Sequence, residues 1–284
     1  MNKEKQIFAA YSEPQIELKE TQVFDAFEVE NVEPYRFEYP SGKGPGTYPA
    51  KIIAEEDITI ESAIGLDFTN NTIEVHGNFN NQSASITSTN GTLLLASDDN
   101  VNITSNGASF YNVEVNGNGN FTLIDNLTLT GTLNLINGHI ETGENRVFVN
   151  NTTEAAITNH SIASYINGNL RRTVATTGNY DLPVGDATNY QLANIDVNSS
   201  TGLTYFDTRF NSFSENLNIS GLGLQVNGTT LQTLLDGGYW TISPNAGMIA
   251  VNYGVGLSLR GTANAGADPA QHTVVKRTNS GTDW

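Results

Sequence analysis

The sequence contains no cysteine and no long apolar run, and each absence excludes a class of protein. Without cysteine, the chain can form neither a disulfide framework nor a cysteine-ligated metal site. No stretch approaches the 18 apolar residues of a transmembrane helix, so membrane insertion is not expected. Charged residues make up only 15% of the chain, below the quarter or so that is usual, and Asn, Thr, Ser and Gly supply the polar surface instead.

Basic side chains are also few. The chain has 13 Lys and Arg against 30 Asp and Glu, which gives a net charge of −17. Nucleic acids and anionic membranes bind clustered cations, so neither is expected as a partner. The segment from Ile52 to Asn145 has no Lys or Arg but 12 Asp or Glu. A groove on that segment could attract Ca²⁺, but it could not hold phosphate, sulfate or uronate groups with cations.

The strongest pattern that the sequence does contain is a repeat of 20 residues. Pairs of apolar residues, spaced two apart, recur at this interval, which is typical of a solenoid whose rungs stack to bury a shared core. The short alternation indicates strands, so the sequence predicts an all-β fold: a right-handed parallel β-helix with about 20 residues per rung, followed by a β-sandwich. The residues predicted to form the β-helix core are Ile73, Val75, Leu93, Leu95, Val113, Val115, Leu133 and Leu135.

Composition divides the chain into three parts. Residues 1–49 are predicted to be an acidic N-terminal cap or linker, and residues 50–160 carry the rungs. In residues 161–284 the period gives way to short strands separated by Gly, Asn and Pro, which indicates a β-sandwich with Trp240 in its core. The Asn167-Gly168 step predicts a hairpin. We also expect a longer parent chain, since the sequence stops directly after a strand-like segment.

The second half of the chain resembles a known group of proteins. The motifs that carry the resemblance are Ser164–Arg172, Gly178–Gly185, Asn189-Tyr190 and Tyr239–Ile242. They are similar to a recurring pattern in large secreted proteins of the Bacteroidota, in which β-helical rungs precede a small β domain. The resemblance covers about residues 90–284 and departs at Leu182, where Phe is commoner. It implies a secreted or cell-surface adhesin or scaffold, typically cargo of the type IX secretion system, and it specifies architecture rather than activity.

One compact group of oxygen ligands stands out. Asp98 and Asp99 precede Asn100, and Ca²⁺ takes six to eight oxygens, some of which β-helix turns can supply. The segment lacks both the Asp-x-Asp-x-Asp-Gly spacing and a Gly-rich nonapeptide repeat, so a solvated turn is the alternative interpretation. No other metal or cofactor is expected.

Catalysis on a β-helix would require grouped carboxylates. Glu74 and Glu114 occupy equivalent positions two rungs apart, roughly 10 Å at one strand spacing per rung, a separation that could suit an inverting glycosidase. Both residues follow an inward apolar residue, which indicates ordinary outward polar positions. We therefore expect no enzyme. A β-helix polysaccharide lyase or hydrolase and a passive spacer remain the alternatives.

Exposed aromatic residues provide the better indication of a binding function. Tyr and Trp faces stack on sugar rings, and Tyr111, Tyr190 and Tyr205 are the candidates, although large aromatics also anchor small cores. The partner expected is a polysaccharide or a cell-surface protein. Of the pair Arg171-Arg172, one member is expected to pair with an acid such as Asp181.

Overall fold

The computed structural model describes residues 9–10, 15–18, 22–24, 51–62, 65–83, 85–212, 223–266 and 272–276. Within these ranges the fold is all-β, and its helical content is limited to one 3₁₀ turn at Glu154–Ala156. No helix among these residues is long and apolar enough to cross a membrane.

The strands fall into two groups along the chain. The first group is Ala9–Ala10 (β1), Gln15–Leu18 (β2), Gln22–Phe24 (β3), Lys51–Ala54 (β4), Ile58–Ile60 (β5), Leu66–Asp67 (β6), Thr72–Val75 (β7), Phe79–Asn81 (β8), Ile86–Thr87 (β9), Thr92–Leu95 (β10), Val101–Thr104 (β11), Ser109–Phe110 (β12), Asn112–Leu123 (β13), Leu127–Leu129 (β14), Leu133–Val149 (β15), Ile157–Thr158 (β16) and Ile166–Thr173 (β17). The second group is Gly178–Gly185 (β18), Tyr190–Thr201 (β19), Tyr205–Asn211 (β20), Gln225–Val226 (β21), Thr229–Thr230 (β22), Tyr239–Pro244 (β23) and Ala250–Leu257 (β24).

The first group winds into a parallel β-solenoid of about seven turns with about 20 residues per rung, which confirms the predicted β-helix. On the first face β2, β4, β7, β10, β13, β15 and β16 pair in parallel. On the second face β3, β5, β8 and β11 pair in parallel with one another, and the ladder continues through the end of β13, the middle of β15 and the beginning of β17. On a third face β12, β14, β15 and β17 pair, and β6 pairs with β9.

The repeat places its apolar residues in register inside the solenoid. Ile73, Leu93, Val113 and Leu133 are direct partners on successive strands, and each is 0% exposed. The other four predicted core residues, Val75, Leu95, Val115 and Leu135, are 0–1% exposed. Burial of one such side chain contributes about 1.5–3 kcal/mol, so the stacked columns account for much of the stability of the rod.

Close packing of the turns explains two glycines of the repeat. A Cβ atom added at Gly119 would lie 1.9 Å from the carbonyl oxygen of Asp99, and one added at Gly117 would lie 2.1 Å from that of Ser97. These turns therefore stack backbone on backbone, and a side chain at either glycine would force the rungs apart.

Strands from residues 1–49 lengthen the solenoid at its beginning. Strand β2 pairs in parallel with β4, and β3 pairs with β5, so both add one step to ladders that the later rungs continue. Strand β1 pairs antiparallel with β2, and the rest of the predicted acidic cap lies outside the described residues.

The solenoid ladders also continue beyond residue 160. Strand β17 is one uninterrupted strand that pairs in parallel with β15, from Ile140 opposite Ile166 to Val149 opposite Arg172. The hairpin predicted at Asn167-Gly168 is therefore wrong. Gly168 instead has a φ of +132°, and a Cβ there would lie 1.9 Å from Oγ1 of Thr142, so this glycine lets the strand turn from the second face to the third.

Beyond β17 the strands become antiparallel. Strand β20 pairs with β17 and with β23, which extends the third face, while β18, β19 and β24 form a second antiparallel set joined to β17 at the second face. A separate β-sandwich stays a prediction. Trp240 is only partly buried and packs edge-on against Phe210 at 4.9 Å, so it borders the core rather than filling it.

Candidate functional site

The two aspartates considered for Ca²⁺ lie in a turn between the first and second faces. Asp98 Oδ1 accepts hydrogen bonds from the backbone N–H of Asn118 at 3.0 Å and from its Nδ2 at 2.6 Å. These bonds, the backbone one foremost, lower the pKa of Asp98. Asp99 is exposed. No group of three or more His, Asp or Glu suited to a metal occurs among the described residues. Asp98 instead links two rungs through its hydrogen bonds to Asn118.

Hydrogen bonds between an aspartate and the amides of an adjacent rung recur at other turns. Asp57 Oδ1 accepts from the backbone N–H of Asn78 at 2.7 Å and from its Nδ2 at 2.9 Å, one rung away. The carboxylate of Asp125 accepts from the backbone N–H groups of Ser105 and Asn106. A carboxylate opposite an amide on the next rung is thus a structural element of the rod. The interval of about 20 residues between Asp and its partner was a signal in the sequence.

Glu74 and Glu114 face outward on the first face, as their sequence positions predict. Leu94 is the register partner of both and separates them. Glu74 Oε1 lies 2.8 Å from Nε2 of His76, and Glu114 Oε2 accepts from Nδ2 of Asn134 at 2.9 Å. A shallow groove beside Glu114 is lined by Thr92, Asn112, Val113, Thr132, Asn134, Thr158 and Asn159. Leu94 thus separates Glu74 from Glu114, and each glutamate has its own neighbouring hydrogen-bond partner. This side of the strands is an ordinary polar surface.

The three candidate tyrosines have different environments. Tyr111 is 36% exposed, and its side chain is available at a rung corner. Tyr205 is half-buried on the outer side of β20, with the guanidinium of Arg171 over its ring at 3.8 Å. Tyr190 is only 6% exposed, so its prediction as an exposed sugar-stacking residue is wrong. The structure does not bring these three side chains together into one surface.

Tyr190 belongs to an aromatic and ionic cluster that joins the last rungs to β18 and β19. Its hydroxyl lies 2.8 Å from Nδ1 of His160, whose Nε2 is 3.2 Å from Asp181 Oδ2. The Tyr165 ring lies 5.7 Å from that of Tyr190, and the Arg260 guanidinium covers the Tyr190 ring at 4.7 Å. The hydrogen bond from His160 is the main cause of the lowered pKa of Asp181. Tyr165 and Tyr190 are buried in the cluster while the carboxylate of Asp181 reaches the surface, and these contacts join the last rungs to β18 and β19.

Burial in this cluster predicts alkaline unfolding. Desolvation raises the pKa of Tyr165 and of Tyr190 from 10.0 to about 12. Between pH 10 and 12 the unfolded chain therefore loses these protons first, so this stabilisation is present below pH 10 and lost as the pH rises through that window. We expect the free energy of unfolding, measured by urea titration, to fall more steeply in wild type than in Tyr165→Phe.

The comparison between variants is essential because Arg172, with a pKa lowered to about 10, acts in the opposite direction over the same pH range. Tyr253→Phe is the matched control, since Tyr253 is 39% exposed and should leave the slope unchanged. An identical slope in wild type and Tyr165→Phe would contradict the assignment.

The two consecutive arginines point in opposite directions. Arg171 faces outward and forms a bidentate pair with Asp207, at 2.7 Å for both Nε–Oδ1 and Nη2–Oδ2. One member of the pair was expected to bind an acid such as Asp181, and Arg171 does pair with an acid, which is Asp207 because strand register places it directly opposite. Arg172 is fully buried and donates to backbone carbonyls of Asn151 and Thr153, with further contacts to those of Thr173 and Glu154. Burial lowers its pKa to about 10.

Arg171 is the centre of the most chemically distinctive outer surface, which we term the arginine face and define as Arg146, Phe148, Arg171, Tyr205, Asp207 and Arg209. Arg146 Nη1 lies 3.3 Å from Asp207 Oδ1. The guanidinium of Arg171 lies 5.2 Å from the Phe148 ring centroid, opposite its contact with Tyr205. The members of this surface come from three strands, β15, β17 and β20, so no spacing in the sequence indicates it, and only Tyr205 and Arg171 are recognisable candidates there.

No protein-family model, curated protein or solved structure matches the chain.

Proposed function

We propose that the chain is a non-enzymatic segment of a secreted, cell-surface protein that acts as a stiff stalk and presents binding surfaces away from the cell. The observation that carries the proposal is the unbroken series of parallel ladders from β2 to β17 around one apolar core. Each rung contacts its neighbours over the whole cross-section, so bending the rod would break hydrogen bonds on one face.

Side-chain ladders support the same role. Asp57, Asp98 and Asp125 hold backbone amides of an adjacent rung, and Asn112 Oδ1 accepts from Thr132 in the same manner. Because these polar side chains bond one rung to another, we assign them a structural role rather than a role in ligand recognition. The resemblance to secreted β-helix proteins of the Bacteroidota supports an extracellular location and an adhesin-like role.

The test is incubation of the folded chain with neutral and acidic polysaccharides, with and without Ca²⁺, while retention and released oligosaccharides are measured together. We expect no released product under any condition, because Leu94 separates Glu74 from Glu114, the carboxylate pair considered for catalysis. Retention without product supports an adhesin, and neither retention nor product supports a spacer whose ligand is bound elsewhere. Released product would overturn the proposal, and Glu74→Gln and Glu114→Gln would then identify the carboxylates responsible.

A further inference from the structure

Three of the described arginines lie together on one outward surface. No Lys or Arg occurs from Ile52 to Asn145, and the next cation along the chain, Arg146, belongs to the arginine face. Arg171 and Arg209 belong to the same surface. Of the other described arginines, Arg172 is buried and Arg260 lies over Tyr190. The chain has a net charge of −17, so three outward arginines on one face make a locally positive surface on an acidic protein.

Strand register brings these arginines together. Arg146 lies opposite Asn169 and Phe148 lies opposite Arg171 on β17, and Arg171 lies opposite Asp207 on β20. Arg209 is two residues beyond Asp207 on the same outward side, since the residues that alternate with it are buried. The arginine face is thus a flat surface that spans three adjacent strands.

The charges on this face are not balanced. Asp207 is its single acid, and both of its oxygens are used by Arg171, with Arg146 sharing one of them at 3.3 Å. The backbone of Arg209 pairs with Thr241 on β23, and its guanidinium forms no ion pair with any described residue. Three cations against one carboxylate leave a net charge of +2 on the residues that define the face, and Arg209 also borders a neighbouring hollow that Asp186 lines.

Two of the three arginines, Arg171 and Arg146, are held in place before any ligand arrives. Arg171 is placed between the rings of Phe148 and Tyr205 at 5.2 and 3.8 Å, and Arg146 lies 5.8 Å from the Phe148 ring centroid. Cation–π contacts and the fork to Asp207 fix these side chains, so binding costs less conformational entropy than at freely moving arginines. Their side chains remain 25–31% exposed.

We propose that the arginine face binds an anionic polysaccharide through its carboxylate or sulfate groups, with Arg209 and Arg146 as the anion-binding residues. This inference rests on the proposed role as a surface stalk and names the class of ligand. A flat surface of strands suits an extended glycan chain, guanidinium groups recognise carboxylate and sulfate, and the ring of Tyr205 can contact a sugar.

Other anionic partners fit less well. Double-stranded DNA carries one charge per about 1.7 Å, and the acidic remainder of this chain would repel it strongly. Each partner of a stable protein complex buries about 800 Å², far more than six half-buried side chains provide. A glycan with separated charges needs only a few cations and a small area.

The experiment is affinity electrophoresis of the full chain in gels that contain polygalacturonate, dextran sulfate or uncharged dextran. The first two polymers separate carboxylate from sulfate recognition, and dextran reports binding that does not depend on charge. We expect retardation by one or both acidic polymers, none by dextran, and weakening as salt is raised. Arg209→Gln and Arg146→Gln should each weaken binding about tenfold. Lys276→Gln, which removes a cation outside the face, should behave as wild type.

Several results would overturn the inference. They are equal retardation by dextran, unchanged binding in both arginine variants, equally tight binding of duplex DNA, or self-association in ultracentrifugation that Arg209→Gln abolishes. Failure of wild type to be retarded by either acidic polymer, with normal thermal unfolding, would refute the ligand assignment and leave the stalk in place. Released oligosaccharides would refute the stalk assignment itself, so the two failures are distinguishable.

Discussion

Replacing Leu93 by Asn is expected to lower the free energy of unfolding by about 3–5 kcal/mol. Leu93 is 0% exposed and lies between Ile73 and Val113 in the central column of the solenoid. The substitution removes buried methyl groups, leaves space that neighbouring rungs cannot fill, and places an amide where no partner is available. Denaturant titration followed by circular dichroism measures the effect.

The adjacent leucine is a matched control. Leu94 faces outward, and its register partners are Glu74 and Glu114. Asn at this position can donate to Glu114 as Asn134 does from the other side, so Leu94→Asn should change stability by no more than about 0.5 kcal/mol. Similar losses for both variants would show that the inward and outward sides of this strand are wrongly assigned.

Replacing Arg172 by Met is expected to cost about 3 kcal/mol of stability. The guanidinium donates to the carbonyls of Asn151 and Thr153, which would lose their donors in a site closed to water. Relief of the buried charge, visible in the pKa lowered to about 10, offsets part of this loss. Thermal and denaturant unfolding of the purified variant measure the difference.

Arg171→Met is the control for this second prediction. Arg171 is the neighbouring residue, carries the same charge and points to the surface, where its pair with Asp207 is partly solvated. Such pairs contribute about 0–1 kcal/mol. A loss for Arg172→Met no greater than that for Arg171→Met would mean that the buried guanidinium is not what holds these carbonyls.

The solenoid was predictable because its signal is local and repeated. Pairs such as Ile73/Val75 and Leu93/Leu95 report alternation within a strand, and their constant interval reports the stacking of one rung on the next. These two facts fix the register of neighbouring rungs, which is the part of a β-fold that single sequences usually leave open.

The end of the repeat was harder to predict because a local signal competed with a distant one. Asn167-Gly168 is a strong hairpin sequence, but pairing with β15 keeps Ile166–Thr173 in one strand and uses Gly168 as a corner. The alternation of Leu170, Arg171 and Arg172 within that strand then sends the two arginines to opposite sides. The hairpin predicted at Asn167-Gly168 would have divided this strand, so the alternation was not recognised from the sequence.

The arginine face could not be predicted at all from spacing. Arg146, Arg171 and Asp207 meet because β20 turns back antiparallel on β17, and that register depends on contacts across the whole third face. Tyr190 was misplaced for a similar reason, since the residues that bury it, Tyr165, His160 and Arg260, come from separate parts of the chain.

The constant coil length has a consequence for how such a gene can change. Copying one whole 20-residue unit would add about 4.8 Å to the rod while every side chain kept its orientation. Gain or loss of a single residue within a strand would instead exchange the inward and outward sides of that strand, because side chains alternate with a period of two. Evolution can therefore adjust the reach of this protein in whole coils, by gain or loss of units of equal length, far more readily than by small insertions.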